Sequence, residues 1–127
     1  MPAANNDIFN ILQIQHLEGS ITARLSINPN NEILKGHFPG HPVVPGACIL
    51  QVVKEVLEDA LNDTLRLKKA DHLKFMSLIE PENNQTVQLE ITYRETEEGG
   101  IFATAKLSAG EIVCFKLQGT FIKMPDR

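Results

Sequence analysis

The sequence predicts an α+β domain in which a curved antiparallel sheet of six strands wraps around one long central helix. One segment has apolar residues at helical spacing, and the segments on either side alternate with a period of two. Apolar residues cover more than half of the helix circumference, which indicates that other parts of the chain surround the helix. One helix cannot cover both faces of a flat sheet of this size, so strong curvature around it is the economical arrangement.

The predicted elements follow the order ββαββββ. A short polar lead that allows a helical turn at Asp7–Asn10 comes first, and a long loop opened by Asn28-Pro29 separates the second strand from the helix. The helix is predicted from Ala47 to Asp63, after Pro45-Gly46. The predicted strands are Ile11–Leu17, Ser20–Ile27, Leu65–Ile79, Thr86–Glu95, Ile101–Ser108 and Ile112–Ile122. Exposed edges of such a sheet favour a symmetric dimer or a larger assembly of dimers.

Length and composition restrict the classes of function. The 127 residues predict one domain, 1–127, and the net charge of -4 gives no electrostatic reason to expect a nucleic acid or a membrane as partner. Cys48 and Cys114 are the only cysteines, which makes a disulfide framework unexpected. No run is apolar enough for a membrane span or a signal peptide. A cytoplasmic location is therefore expected.

The stretch from Gly36 to Gln51 reads GHFPGHPVVPGACILQ. Its glycines and prolines restrict the backbone, so His37 and His41 are expected at fixed places on a loop. A metal site at this pair is disfavoured, because Pro39-Gly40 prevents a regular helix between the histidines and no further ligand lies nearby in the sequence. No metal and no cofactor are expected.

This stretch resembles the signature of the bacterial beta-hydroxyacyl-acyl carrier protein dehydratases of the FabZ and FabA type, whose domain is the hotdog fold. The resemblance implies conversion of beta-hydroxyacyl thioesters on acyl carrier protein to trans-2-enoyl thioesters, in fatty-acid or in specialised lipid or pigment synthesis. It places the catalytic base on His37 and the amide that polarises the thioester carbonyl on Gly46. It also implies substrate-binding positions at Phe38, Pro39, Gly40, Val44, Pro45 and Glu55.

The implied roles agree with elementary chemistry. A neutral imidazole titrates close to physiological pH, so His37 can take the alpha proton and pass a proton to the departing hydroxide. The first N–H groups of a helix have no intrahelical partner and favour negative charge, which suits Gly46 to an enolate-like oxygen.

Gln51 departs from the family pattern. The family has a carboxylate fourteen residues after the histidine, and this position is Gln51 here. Glutamine exchanges no proton, although its amide can still hold the substrate hydroxyl or the water formed. Glu55 lies one helical turn further along the same face and is the alternative carboxylate.

Two further questions stay open at this level. A set of basic residues forms either a docking patch for an acidic carrier protein or an ordinary solvated face: Lys35, Arg66, Lys68, Lys69 and Lys74.

Besides the dehydratase, two other functions compete. One is a non-catalytic subunit that binds acyl chains or pairs with an active relative, and the other is an acyl thioesterase of the same fold.

Overall fold

The computed structural model describes residues 8–28, 31, 34, 43–81 and 85–125. Within these residues, six strands and one long helix, α1 (Gly46–Leu61), follow the predicted order ββαββββ. The strands are β1 (Phe9–Leu17), β2 (Ser20–Ile27), β3 (Leu65–Phe75), β4 (Thr86–Glu95), β5 (Ile101–Ala109) and β6 (Ile112–Lys123).

The six strands form one antiparallel sheet in the order β1-β2-β4-β5-β6-β3, with β1 and β3 at its edges. Buried and more exposed residues alternate along β4 and β5, and the buried apolar ones, such as Leu89 of β4 and Ala105 of β5, lie on the inner face of the sheet. These pack with the buried face of α1, which includes Val53 and Val56. A curved sheet around one helix is the hotdog fold, as predicted.

The two ends of α1 are formed differently. The preceding residue, Pro45, has extended backbone angles, and no side chain caps the first turn. The helix ends at Leu61, two residues before the predicted Asp63, because Asn62 adopts left-handed angles with φ of 55°. The Glu58 carboxylate then accepts a hydrogen bond of 2.8 Å from the Leu65 amide, which attaches the end of α1 to the start of β3.

Two further predictions about element bounds are wrong. Phe9 and Asn10 belong to β1 and not to a helical turn, because Phe9 pairs with Ile27 and is 2% exposed in the core. Strand β3 ends at Phe75 and does not reach Ile79. The amides of Met76 and Ser77 both donate a hydrogen bond to the Cys114 carbonyl oxygen, at 2.8 and 3.3 Å. This shared acceptor ends the regular ladder.

The segment after β3 folds back towards the start of α1. The Val44 amide donates to the Ile79 carbonyl oxygen at 2.9 Å, and both side chains are buried. Residues 76–79 therefore lie beside the N-terminus of α1. No helix in the described part of the chain has the length and apolar character needed to cross a bilayer.

Strand β3 contains two irregularities opposite a glycine. Its register against β6 shifts between Leu67 and Lys69 and again between Ala70 and His72. Gly119 of β6 faces this region, and a Cβ atom at Gly119 would lie only 2.5 Å from the Lys69 carbonyl oxygen. The close approach of the two backbones at these bulges therefore requires glycine.

Candidate functional site

The N-terminus of α1 presents an available backbone donor. The amides of Cys48 and Ile49 both donate to the Pro45 carbonyl oxygen, at 3.0 and 3.4 Å. None of the described residues accepts a hydrogen bond from the Gly46 amide. The first turn contains no acidic residue. This end of α1 therefore offers an N–H group and the positive end of the helix dipole to an electron-rich oxygen.

Gly46, the first residue of α1, lines an apolar cleft of about 520 Å³. Its walls come from the start of α1, the end of β3 and the segment that follows: Val44, Gly46, Ile49, Phe75, Met76, Ser77, Leu78 and Ile79. The Phe75 ring lies so close that a Cβ atom at position 46 would be 2.8 Å from its Cζ atom. Glycine thus lets an aromatic ring pack directly against the helix start. A cleft with this lining suits an aliphatic chain.

Gln51 faces a different, smaller cavity. This cavity, of about 130 Å³, lies between the first residues of β1 and one face of α1, and is lined by Ile8, Phe9, Ala47, Cys48, Gln51, Val52 and Glu55. The Gln51 Nε2 group donates a hydrogen bond of 3.0 Å to the Glu55 Oε2 atom. Within the described ranges of one chain, Gly46 and Gln51 therefore do not share a cavity.

The other predicted site residues just before α1 and on the preceding loop divide into two groups. Val44, which is buried, lines the apolar cleft beside Gly46, and Pro45 immediately precedes α1. The others lie outside the described residues: Lys35, His37, Phe38, Pro39 and Gly40, together with His41. The roles assigned to this loop remain predictions.

Three lysines missed as a group by the sequence prediction lie in one row across the outer face of the sheet. Lys74 of β3 is the register partner of Lys116 of β6, and Lys116 is the partner of Lys106 of β5. We call Lys74, Lys116 and Lys106 the lysine row. They line a groove of about 560 Å³. Lys106 contacts Glu90 of β4 at 3.5 Å, whereas no described acidic residue pairs with Lys74 or Lys116.

The lysine row concentrates positive charge on the outer face, and two of its members have no described acidic partner. Like charges directly opposite each other destabilise a sheet, so this arrangement has a cost in stability. The other predicted basic residues, Arg66, Lys68 and Lys69, are exposed on β3. Of these, Lys69 contacts Asp71 at 3.4 Å. Alternation alone places Lys106 and Lys116 on the outer face, but only the register of separate strands aligns them with Lys74.

The two cysteines occupy different environments and form no disulfide. Cys48 is partly buried beside Gln51 in the smaller cavity. Cys114 is buried, and burial raises the pKa of its thiol, while a backbone hydrogen bond involving Ala109 acts in the opposite direction. Across the described residues, no group of three or more His, Cys, Asp or Glu side chains could hold a metal ion.

Comparison with known proteins agrees with this architecture. The chain is 29% identical over 110 residues to the 3-hydroxyacyl-acyl-carrier-protein dehydratase FabZ of Levilactobacillus brevis, covering 81% of this chain and 73% of the relative. It is 23% identical over 117 residues to the enzyme of the same name from Fusobacterium nucleatum, covering 88% and 82%.

Among solved structures, a chain of the dehydratase heterocomplex ApeI:P from Xenorhabdus doucetiae superposes with a TM-score of 0.74. The alignment covers 88% of this chain and 96% of that one, at 17% identity, which establishes similarity of fold. The family model described as ApeI dehydratase matches residues 13–115, most of the chain. The protein therefore belongs to the ApeI-like family of hotdog dehydratases.

Proposed function

We propose that this protein dehydrates a beta-hydroxyacyl thioester carried on acyl carrier protein to the trans-2-enoyl thioester. The observation that carries the proposal is the Gly46 amide, which has no described acceptor and belongs to a residue that lines an apolar cleft. Membership of a dehydratase family and the names of the FabZ relatives support the reaction class and the carrier-linked substrate. The expected product pathway is fatty-acid or specialised lipid or pigment synthesis.

In the proposed reaction, His37, Gly46 and Gln51 each have a separate role. His37 removes the alpha proton, and the Gly46 N–H group stabilises the negative charge that develops on the thioester oxygen. The bond between the beta carbon and the hydroxyl oxygen then breaks. The proton held by His37 passes to that oxygen, so water leaves and the double bond forms. Gln51 holds the substrate hydroxyl by its side-chain amide.

A second copy of the chain is proposed to complete the site. Strand β3 is an edge of the sheet, and several large apolar side chains at its end and just beyond are exposed: Leu73, Phe75, Met76 and Leu78. Leu78 is 70% exposed. Unpaired edges and apolar patches of this kind favour association. Because Gly46 and Gln51 lie in separate cavities of one chain, a homodimer that brings Gln51 of one copy towards His37 of the other explains both features.

The lysine row is the proposed docking surface for the acidic carrier protein. Lys74 immediately precedes Phe75, so the row ends beside the cleft that would receive the acyl chain. Lys74 and Lys116 have no described acidic partner in the chain, which leaves their charge available to an acidic surface. The predicted patch on β3 is thereby extended to β5 and β6.

The test is to incubate the protein with a beta-hydroxyacyl carrier-protein thioester and to follow the product by mass. Loss of one water in the parent and none in His37→Ala would support the proposal. His16→Ala is the matched control, since His16 is exposed on β1 and hydrogen-bonds Tyr93 away from the cleft. Release of the free acid would instead identify a thioesterase.

The alternative is a non-catalytic subunit of a mixed dimer. Gln51 in place of a carboxylate favours it, as does structural similarity to a chain from a heterocomplex. Absence of dehydration by the isolated protein, with acyl-carrier binding retained, would support this alternative. Gain of turnover on adding an active relative would then establish the mixed dimer.

A further inference from the structure

The hydrogen bond between Gln51 and Glu55 fixes which end of the glutamine amide is available. An ionised carboxylate has only acceptor atoms, whereas a glutamine amide has a donor end and an acceptor end. The contact of 3.0 Å to Glu55 Oε2 is attractive only with Nε2 facing the carboxylate. The carbonyl oxygen Oε1 of Gln51 must therefore lie on the other side of the amide.

This orientation matters for the substrate hydroxyl. When Oε1 accepts the hydroxyl hydrogen, the lone pairs of the hydroxyl oxygen are left for the proton that His37 delivers. The reversed amide would direct an N–H donor at the same oxygen and compete with that proton. A carboxylate needs no such selection because both of its oxygens accept, but a glutamine does.

We propose that Glu55 is a positioning residue, which holds the Gln51 amide with Oε1 as the acceptor for the substrate hydroxyl. The inference rests on the proposed dehydratase function. The two residues are one turn apart on α1 and line the same cavity of about 130 Å³. Glu55 thus acts through Gln51 and does not replace it as a carboxylate at the reacting atoms.

A double-mutant cycle tests the coupling. Glu55→Ala is expected to lower kcat about tenfold with little change in KM, because a released amide loses its fixed orientation. In a Gln51→Ala background the same change should alter kcat less than about twofold. Asp59→Ala is the matched control, since it removes an exposed carboxylate one turn further along α1 and should leave kcat unchanged. Equal losses from Glu55→Ala in both backgrounds would overturn the proposal.

An exchange of the two side chains gives a second test. Gln51→Glu combined with Glu55→Gln keeps one amide and one carboxylate, with the amide now donating towards position 51. An acceptor is retained at position 51, so kcat is expected within about threefold of the parent. Activity as low as that of Gln51→Ala would contradict the proposed role.

A spectroscopic readout separates this inference from the proposed function. If the parent protein dehydrates nothing, the proposed function fails, and the nitrogen and proton signals of the Gln51 side-chain amide then decide the orientation. The inference expects these signals to shift in Glu55→Ala and to stay in place in Asp59→Ala. Coincident Gln51 amide signals in the parent and in Glu55→Ala would refute it.

Discussion

Gly119→Ala tests whether the close contact of β3 with β6 sets the stability of this edge of the sheet. The added Cβ atom would lie 2.5 Å from the Lys69 carbonyl oxygen and 3.2 Å from the Ala70 Cα atom. Both are backbone atoms that cannot rotate away, and a Cβ contact below 3.0 Å is essentially never found. The two strands must separate by at least about 0.5 Å, which weakens the ladder between them.

Overpacking of this kind typically costs about 1–3 kcal/mol, and we expect the upper part of that range because backbone must move. The assay is urea denaturation followed by far-ultraviolet circular dichroism, since the chain has no tryptophan. The matched control is Gly110→Asn. At Gly110 an added Cβ meets nothing within 4 Å, and asparagine tolerates the φ of +63°.

We expect the control to stay within about 0.5 kcal/mol of the parent. A Gly119→Ala protein of parental stability would show that β3 and β6 shift apart without cost. The close contact at the bulges would then not limit the stability of this edge.

Four further predictions concern the helix end, the pH response and the two interaction surfaces. Asn62→Ala should lower the free energy of unfolding by about 1 kcal/mol and Asn62→Gly should not, because φ is 55° at this position; thermal unfolding measures both. Burial raises the pKa of Cys114, so the folded state holds this proton more tightly and stability should fall as the pH rises through the ordinary thiol value towards the raised one. In urea titrations at increasing pH, the Cys114→Ala protein should lack the fall in the free energy of unfolding that is due to this thiol. If the free energy of unfolding falls with pH equally in the parent and in Cys114→Ala, the thiol makes no such contribution. Leu78→Glu should shift a dimer towards monomer in sedimentation velocity, with unchanged circular dichroism. Lys116→Glu should raise KM for a carrier-linked substrate at low salt while Lys123→Glu, beside Asp63, should not; equal effects would remove the lysine row from docking.

The regular elements could be predicted because the pattern of apolar and polar residues that decides which side chains are buried lies within each element's own sequence. Strands β2 and β4 have the predicted bounds, since each alternates apolar and polar residues between clear turn residues. The misassigned positions depend on distant parts of the chain. Phe9 is a strand residue because Ile27 lies opposite it, and β3 ends where Met76 and Ser77 turn to the Cys114 carbonyl oxygen.

The same distinction applies to the candidate site. The sequence is sufficient to put Gly46 at a helix start and to place Gln51 and Glu55 one turn apart. It does not reveal that Gln51 faces a separate cavity from Gly46, because that depends on how β1 and residues 76–79 pack on either side of α1. The lysine row likewise depends on the pairing of β3 with β6, two strands that are not consecutive in the chain.

The strand order also has a consequence for how the chain folds. Strands β4, β5 and β6 pair with their neighbours in sequence through short turns, and β1 and β2 form a hairpin, so both units can form early. Strand β3 is different, since it lies beside β6 and must wait until the two strands between them in the chain are in place. Loop closure of this length delays its pairing, and the pairing of β2 with β4 is delayed further because their partner residues lie even further apart in the chain. We therefore expect β3 and the β1-β2 hairpin to join the unit of β4, β5 and β6 late, so that the wall of the apolar cleft forms after this unit.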